Sequence, residues 1–206
     1  MKTFSGLGVS AGIGQAPALL VEPAPGLPAR DPKGDTDDDV ARVTAALSKV
    51  ADRLDARALE ADPSAIGVLM ATAMMARDPG LTSSVRTHLE EGDGPAHALW
   101  GAIDDFCAQL TAAGGYLAER VTDLHNVRDR ALAVLQGLPE PGVPAFDSPV
   151  ILVAEDLAPA DTATLDPELV RGLVTAAGGP TSHTAILAAQ IGILSLIHIS
   201  EPTRPY

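Results

Sequence analysis

Residues 171–188 read RGLVTAAGGPTSHTAILA, and the order of residue types within them sets one local fold. RGLVTAA is an apolar, β-prone run, Gly178 and Gly179 end it, and a helical pattern begins near Thr181. The stretch therefore reads as strand, glycine turn and helix N-terminus. Thr181 or Ser182 can cap the helix by accepting from backbone N–H groups, and the two glycines let the chain bend sharply and approach a ligand. The first turn of such a helix offers unpaired N–H donors and the positive end of the macrodipole, a place that attracts phosphate. His183 stands in that turn. A neutral imidazole, with a reference pKa of about 6.5, can attack an electrophilic phosphorus. Hydroxyls and backbone donors around it can hold the phosphoryl oxygens as charge redistributes. The product would be a phosphoramidate on His183, suited to a relay rather than a store. The plain alternative is a histidine that only caps the helix or fills surface.

Working outward, PVILVA at 149–154 is a short continuous apolar run and reads as a buried strand. A loop with a short helix starting near Pro159 joins it to the strand at 171–177. Between residues 35 and 138 the period changes. Val40, Val43, Leu47, Val50 and Leu54 recur at steps of three and four, one apolar helical stripe. Asp35, Asp37, Asp38 and Asp39 crowd its start, where carboxylates favour the helix dipole. Further helices are expected over PSAIGVLMATAMMARD, around Leu81 to Leu89, from Pro95 through Ala113, and from about Tyr116 to Leu138. Together they predict an all-helical bundle. Met70, Met74 and Met75 lie at helical spacing, and core packing is expected for them ahead of an adaptable binding face. Two proline-rich linkers, APGLPARDPKG at 24–34 and GLPEPGVPAF at 137–146, enclose the helices. The opening FSGLGVSAGIGQAPALLVEP reads as a turn-rich segment followed by one strand, Ala16 to Val21. Its Gly6, Gly8 and Gly12 do not make a dinucleotide fingerprint, because no strand precedes them and no clear helix follows.

At 206 residues the chain is long enough for two domains, and its 46% hydrophobic but only 3% aromatic content favours helices and an α/β core. A net charge of −13 argues against unassisted binding to nucleic acid or anionic membranes and fits a basic protein partner. No apolar run reaches the roughly 20 residues of a bilayer span, and the N-terminus lacks the greasy core of a signal peptide, so a cytoplasmic protein is expected. Cys107 is the only cysteine, which excludes intramolecular disulfides and cysteine zinc sites, and reads as a buried helical thiol.

GGPTSHTAILA resembles the phosphohistidine motif of the phosphoenolpyruvate-utilising enzymes. The opening GVSAGIGQAPALL, the helical LAERVTDLHNVRDRALAVLQGL and VILVAEDLAPADTATLD are similar to Enzyme I of the bacterial phosphoenolpyruvate:sugar phosphotransferase system, over nearly the whole chain up to Ile193. The resemblance implies an α/β phosphohistidine (swivelling) domain, discontinuous and truncated, with an inserted all-α helical bundle. Residues 1–23 and 146–193 would form the α/β domain, and 35–138 the helical insert that docks the phosphocarrier HPr. It implies that His183 takes the phosphoryl group from phosphoenolpyruvate and passes it to a histidine of HPr during sugar uptake. Thr162 would supply an orienting hydrogen bond to His183, and Gly178, Gly179, Thr181 and Ser182 would bind phosphate. Opposite charge between the acidic insert and basic HPr would speed encounter. His88, His97 and His125 lie in helical segments, where solvated or packing roles are expected.

Two departures from that pattern are Ala189, where many relatives carry a basic residue, and Ala176, where they carry an acidic one. A third begins at Leu194. In place of a further strand and a (β/α)8 barrel that binds phosphoenolpyruvate and Mg2+, the chain reads LSLIHISEPTRPY. Residues 194–206 resemble translated sequencing-adapter read-through, and nothing is assigned to His198 within them. The expectations are thus a monomer that needs the barrel to bind phosphoenolpyruvate, no metal in this chain, and a sheet edge left open where the later strands are missing, although LSLIHI alternates well enough to imitate one. Two other readings compete. One is the swivelling domain of a pyruvate phosphate dikinase or phosphoenolpyruvate synthase. The other is a non-catalytic HPr-docking module in which the motif is a relic.

Overall fold

The computed structural model describes residues 5–200 apart from 22, 62, 145, 158, 163 and 178–182, and at 64, 116, 119, 159, 160, 183, 184, 187 and 198–200 it describes the backbone alone. The chain forms two units, Ala24–Pro141 and the pair of segments Met1–Pro23 and Gly142–Tyr206.

The first unit is a helical bundle of α1 (Thr36–Glu60), α2 (Pro63–Ala76), α3 (Pro79–Glu91), α4 (Pro95–Ala113), α5 (Gly115–Glu119) and α6 (Val121–Gln136). Helix α1 buries Val43, Leu47, Val50 and Leu54 of the expected stripe, together with Ala46, Ala51 and Ala58. Asp35 is its N-cap and accepts from the N–H groups of Asp37 and Asp38 at 3.0 and 3.3 Å. Asp39 is buried rather than spread over the helix start, and it accepts from Gly34 N–H at 2.6 Å and Arg42 Nη1 at 2.8 Å. The single helix expected from Tyr116 is interrupted. Arg120 takes ψ −9°, and its N–H bonds Leu117 O at 3.1 Å in a tighter turn before α6 restarts. Gly137 ends α6 in the left-handed conformation, φ 67°, with its N–H on Ala133 and Val134 carbonyls.

The methionines depart from expectation. Met70 is 51% and Met74 72% exposed, while Leu69, Thr72, Ala73 and Ala76 of the same helix are buried. The reason is angular: small residues and one leucine fill the face of α2 that meets α1, and the methionines fall on the opposite face.

The stretch read as a free linker, 24–34, is fastened to the bundle. Gln136 Nε2 donates to Gly26 O at 3.1 Å. Asp31 Oδ2 lies 2.9 Å from His97 N, which donates to it, and 3.0 Å from His97 Nδ1. Helix α4 has Gly94 as N-cap with no side-chain bond of its own. Asp31 thus supplies from a distant part of the chain the carboxylate that a local cap would. A Cβ at residue 94 would overlap the Asp31 carbonyl, which is why glycine stands there. Beyond α6, Glu140 is held by Arg53 (2.8 Å) and Arg57 (3.3 Å) of α1 and by Arg130 of α6.

The second unit is a mixed five-stranded sheet. Its strands are β1 (Ser5–Gly8), β2 (Ala18–Leu20), β3 (Val150–Ala154), β4 (Val170–Thr175) and β5 (Ser195–Ser200), in the order β1-β5-β4-β3-β2. Strands β2, β3, β4 and β5 are parallel neighbours, and β1 runs antiparallel to β5. Helix α7 (Pro159–Thr162) connects β3 to β4, and α8 (His183–Gln190) connects β4 to β5. Leu152, Val170, Leu173, Ala188 and Ile193 lie in one apolar core with Leu157 and Leu165.

Three expectations change in this unit. The glycine-rich opening holds strand β1, which its composition disfavours; pairing of Leu7 with Ile197 and Gly8 with Leu196 supplies what local propensity does not. Strand β3 is not buried throughout, since Val150, Leu152 and Ala154 are buried while Ile151 and Val153 are partly exposed. The β4 edge is not left open, because residues 195–200 pair beside it, with Ile197 fully buried and Leu173 N–H on Leu194 O at 2.7 Å.

Candidate functional site

Parallel strands β3 and β4 end together, and the helices that follow them, α7 and α8, pack against one another. In open α/β sheets ligands bind in the crevice outside the carboxyl ends of the strands. The turn after β4 is fastened there: Ala176 N–H donates to Ala154 O at 3.0 Å and Ala177 N–H to Glu155 O at 2.7 Å. Thr175 is buried, and its hydroxyl donates to Ala177 O at 2.9 Å, bending the chain back on itself.

His183 is the first residue of α8. Thr162 is the last residue of α7 and is fully buried. The fold therefore puts these two sequence-expected residues on adjoining helices at one end of the sheet. Gly178, Gly179, Thr181 and Ser182 lie outside the described residues. Helix α8 rests on Ala185 and Ala188, both fully buried, while Ile186, Ala189 and Gln190 are exposed. The two departures, Ala176 and Ala189, are both exposed.

Sequence reasoning passed over Asp161 and Thr175. Among the described residues of this unit the buried polar side chains are Asp161, Thr162, Thr175 and Ser195. The first three flank the β4–α8 connection. Their pattern is invisible in sequence, because an Asp in a loop of this composition ordinarily faces water.

The remaining histidines have structural surroundings. His88 of α3 lies 3.0 Å from Asp105 and 3.5 Å from Asp93. His97 binds Asp31 as described. Burial, and secondarily the Arg128 guanidinium, push the His125 imidazole below its ordinary value. The Cys107 thiol is buried and pushed up by that burial, which makes it a poor nucleophile. Among the described residues no group of three or more His, Cys, Asp or Glu is placed to hold a metal ion. Nor is any described helix long and apolar enough to cross a membrane.

Comparison with known proteins gives the context of this geometry. Residues 5–120 match the family described as PEP-utilising enzyme, N-terminal, and residues 146–204 match its mobile domain. The phosphoenolpyruvate-protein phosphotransferase of Streptomyces coelicolor is 44% identical over 201 residues, covering 95% of this chain and 35% of that protein. The protein of the same name from Lactococcus lactis is 32% identical over 209 residues, 98% of this chain and 36% of its own length. The chain thus spans about a third of the length of these curated relatives. An NMR solution structure of Enzyme I superposes with TM-score 0.80 at 27% identity, covering 95% of this chain and 82% of that one. A structure described as the N-terminal domain of Enzyme 1 - Nitrogen, at 21% identity and TM-score 0.62, shares the fold. From these matches over both units, the chain belongs to the PEP-utilising enzymes and corresponds to the amino-terminal region of Enzyme I, the phosphoenolpyruvate-protein phosphotransferase.

Proposed function

We propose that this chain is the phosphoryl-relay part of a cytoplasmic Enzyme I, in which His183 receives a phosphoryl group originating in phosphoenolpyruvate and exchanges it with HPr in sugar uptake. The observation that supports this most is the place of His183, first in α8, the helix that packs on α7, whose last residue is the buried Thr162. Exposure of Ile186 and Gln190, three and seven residues further along the helix, supports approach by a second protein.

The chemistry balances simply. An unprotonated ring nitrogen of His183 attacks phosphorus, a P–N bond forms, and the bond from phosphorus to the departing imidazole of phospho-HPr breaks with its electron pair. Each ring keeps the proton on its other nitrogen. The hydroxyls of Thr181 and Ser182 and the N–H groups of the helix start hold the phosphoryl oxygens, and Thr162 orients the ring. Phosphoenolpyruvate enters through the barrel that the family carries elsewhere in its sequence, with Mg2+ held there. HPr docks on the uncharged helix α2, whose Met70 and Met74 form an exposed, adaptable apolar face.

Incubation with 32P-labelled phospho-HPr tests the reading. The expected result is an acid-labile, alkali-stable label on this chain that is lost in His183→Ala. An unchanged label in that variant removes His183 from the role. Binding of HPr without any label returns the chain to a docking module.

A further inference from the structure

We propose that Met70 and Met74 form a reversible oxidation site: peroxide converts their thioethers to sulfoxides, and the α2 face then binds HPr more weakly. The functional meaning rests on the docking role given to α2 above, and the chemistry and the docking are tested in separate arms.

The methionines among the described residues all lie in α2, at positions 70, 74 and 75. Met70 and Met74 are four residues apart and share one face, where they are 51% and 72% exposed. Met75 is only partly exposed. Helix α2 packs on α1 and α6, and Leu69, Thr72, Ala73 and Ala76 are its buried residues there. The two outer thioethers are therefore open to a small oxidant, and the bundle does not depend on them for its core. The competing sulfur is better protected. Cys107 is buried, and that burial pushes its thiol up, so the reactive thiolate is scarce.

In the reaction, a sulfur lone pair attacks one oxygen of hydrogen peroxide. An S–O bond forms, the O–O bond breaks, and the departing hydroxide takes the proton of the transferred oxygen and leaves as water. Sulfur loses two electrons and the peroxide gains them. A thiol-dependent methionine sulfoxide reductase returns them, releasing water and a disulfide.

The product changes the character of the face. A flexible apolar side chain becomes a polar one with a strong acceptor oxygen. Helix α2 has no charged residue, and the Thr72 hydroxyl already donates to Val68 O at 2.9 Å. A sulfoxide on this face keeps its hydrogen bonds with water, and a partner that covers it strips them away. Oxidation thus acts on docking and leaves folding alone.

The experiment treats the full 206-residue chain with hydrogen peroxide and follows each sulfur by peptide mass spectrometry. Met70 and Met74 gain oxygen about five-fold faster than Met75 and ahead of Cys107, and saturating HPr slows them. The urea midpoint stays that of the untreated chain. Calorimetric affinity for HPr falls by about five-fold or more, and reductase with dithiothreitol restores it. In Met70→Leu, Met74→Leu the affinity is the same before and after peroxide. Slow oxidation at 70 and 74, or a loss of affinity that persists in the leucine variant, overturns the proposal. Full oxidation with unchanged affinity overturns it too, and the aspartate variant of the same two positions then separates the causes. If that variant loses HPr, the docking reading stands and only the oxidation switch fails; if it retains HPr, both fall.

Discussion

Arg130 is the largest fully buried side chain in the described structure, 1% exposed, and it spans from α6 to Glu140 while also donating to Asn126 Oδ1 at 2.9 Å. A guanidinium at that depth is tolerated because charged and amide oxygens meet its fork. Arg130→Ala removes the buried cation and leaves a cavity, and it is expected to cost about 3–5 kcal/mol in urea unfolding. Glu140→Gln, which keeps the shape and the contacts of a neutral acceptor, is expected to cost less than half of that; equal losses would show that the ion pair, and not packing of the arginine stem, carries the cost. None of this was legible in the sequence. Glu140 stands in a proline-rich stretch that reads as linker, and its partners Arg53 and Arg57 are more than eighty positions away. The helix start at His183, by contrast, was legible because its signal is local: glycines, hydroxyls and an apolar run within a dozen residues. Asp161 falls between these cases, since its position near the motif is visible and its burial is not.

Helix α2 illustrates what patterning can and cannot settle. Its existence follows from Pro63 at the start, an apolar run, and Pro79 beyond its end. Which of its faces is covered does not follow, because a helix without a charged residue offers no contrast between faces. The structure turns Leu69, Thr72, Ala73 and Ala76 inward and leaves Met70 and Met74 in water. The double variant Met70→Asp, Met74→Asp is therefore expected to change unfolding stability by no more than about 0.5 kcal/mol per site, as for ordinary surface positions. In the docking role proposed for this face, calorimetric titration with HPr should show affinity reduced ten-fold or more, by loss of apolar contact and by added charge. Retained affinity would move the docking surface off α2. Strand elements were harder to read than helices for a related reason. Helices α1 and α3 carry caps and stripes within themselves, whereas β1 exists only through its ladder with β5, nearly two hundred residues away.

At the scale of the chain, the change of hydrophobic period at either end of residues 35–138 made the division into two units legible, while the fastening of the flanking stretches was not. That fastening bears on folding. Strand β2 at residues 18–20 pairs with β3 at 150–154, so the sheet closes across the whole helical unit. Joining strands so far apart in an unfolded chain carries a loop-closure cost and slows folding. The helical unit would lower it if it folded first: Gln136 holds Gly26 and Arg130, six residues earlier in α6, holds Glu140, so the entering and leaving segments are tied to the same helix. Residues 24–141, whose core is built from their own helices, should then fold alone. The excised segment is expected to show helical circular dichroism and a single cooperative urea transition, with a midpoint close to that of helix loss in the intact chain. In refolding of the intact chain, amides of α1, α4 and α6 should gain protection before those of β3 and β4. A segment 24–141 that unfolds without cooperativity, or sheet amides protected as early as the helical ones, would mean that the two units fold only together.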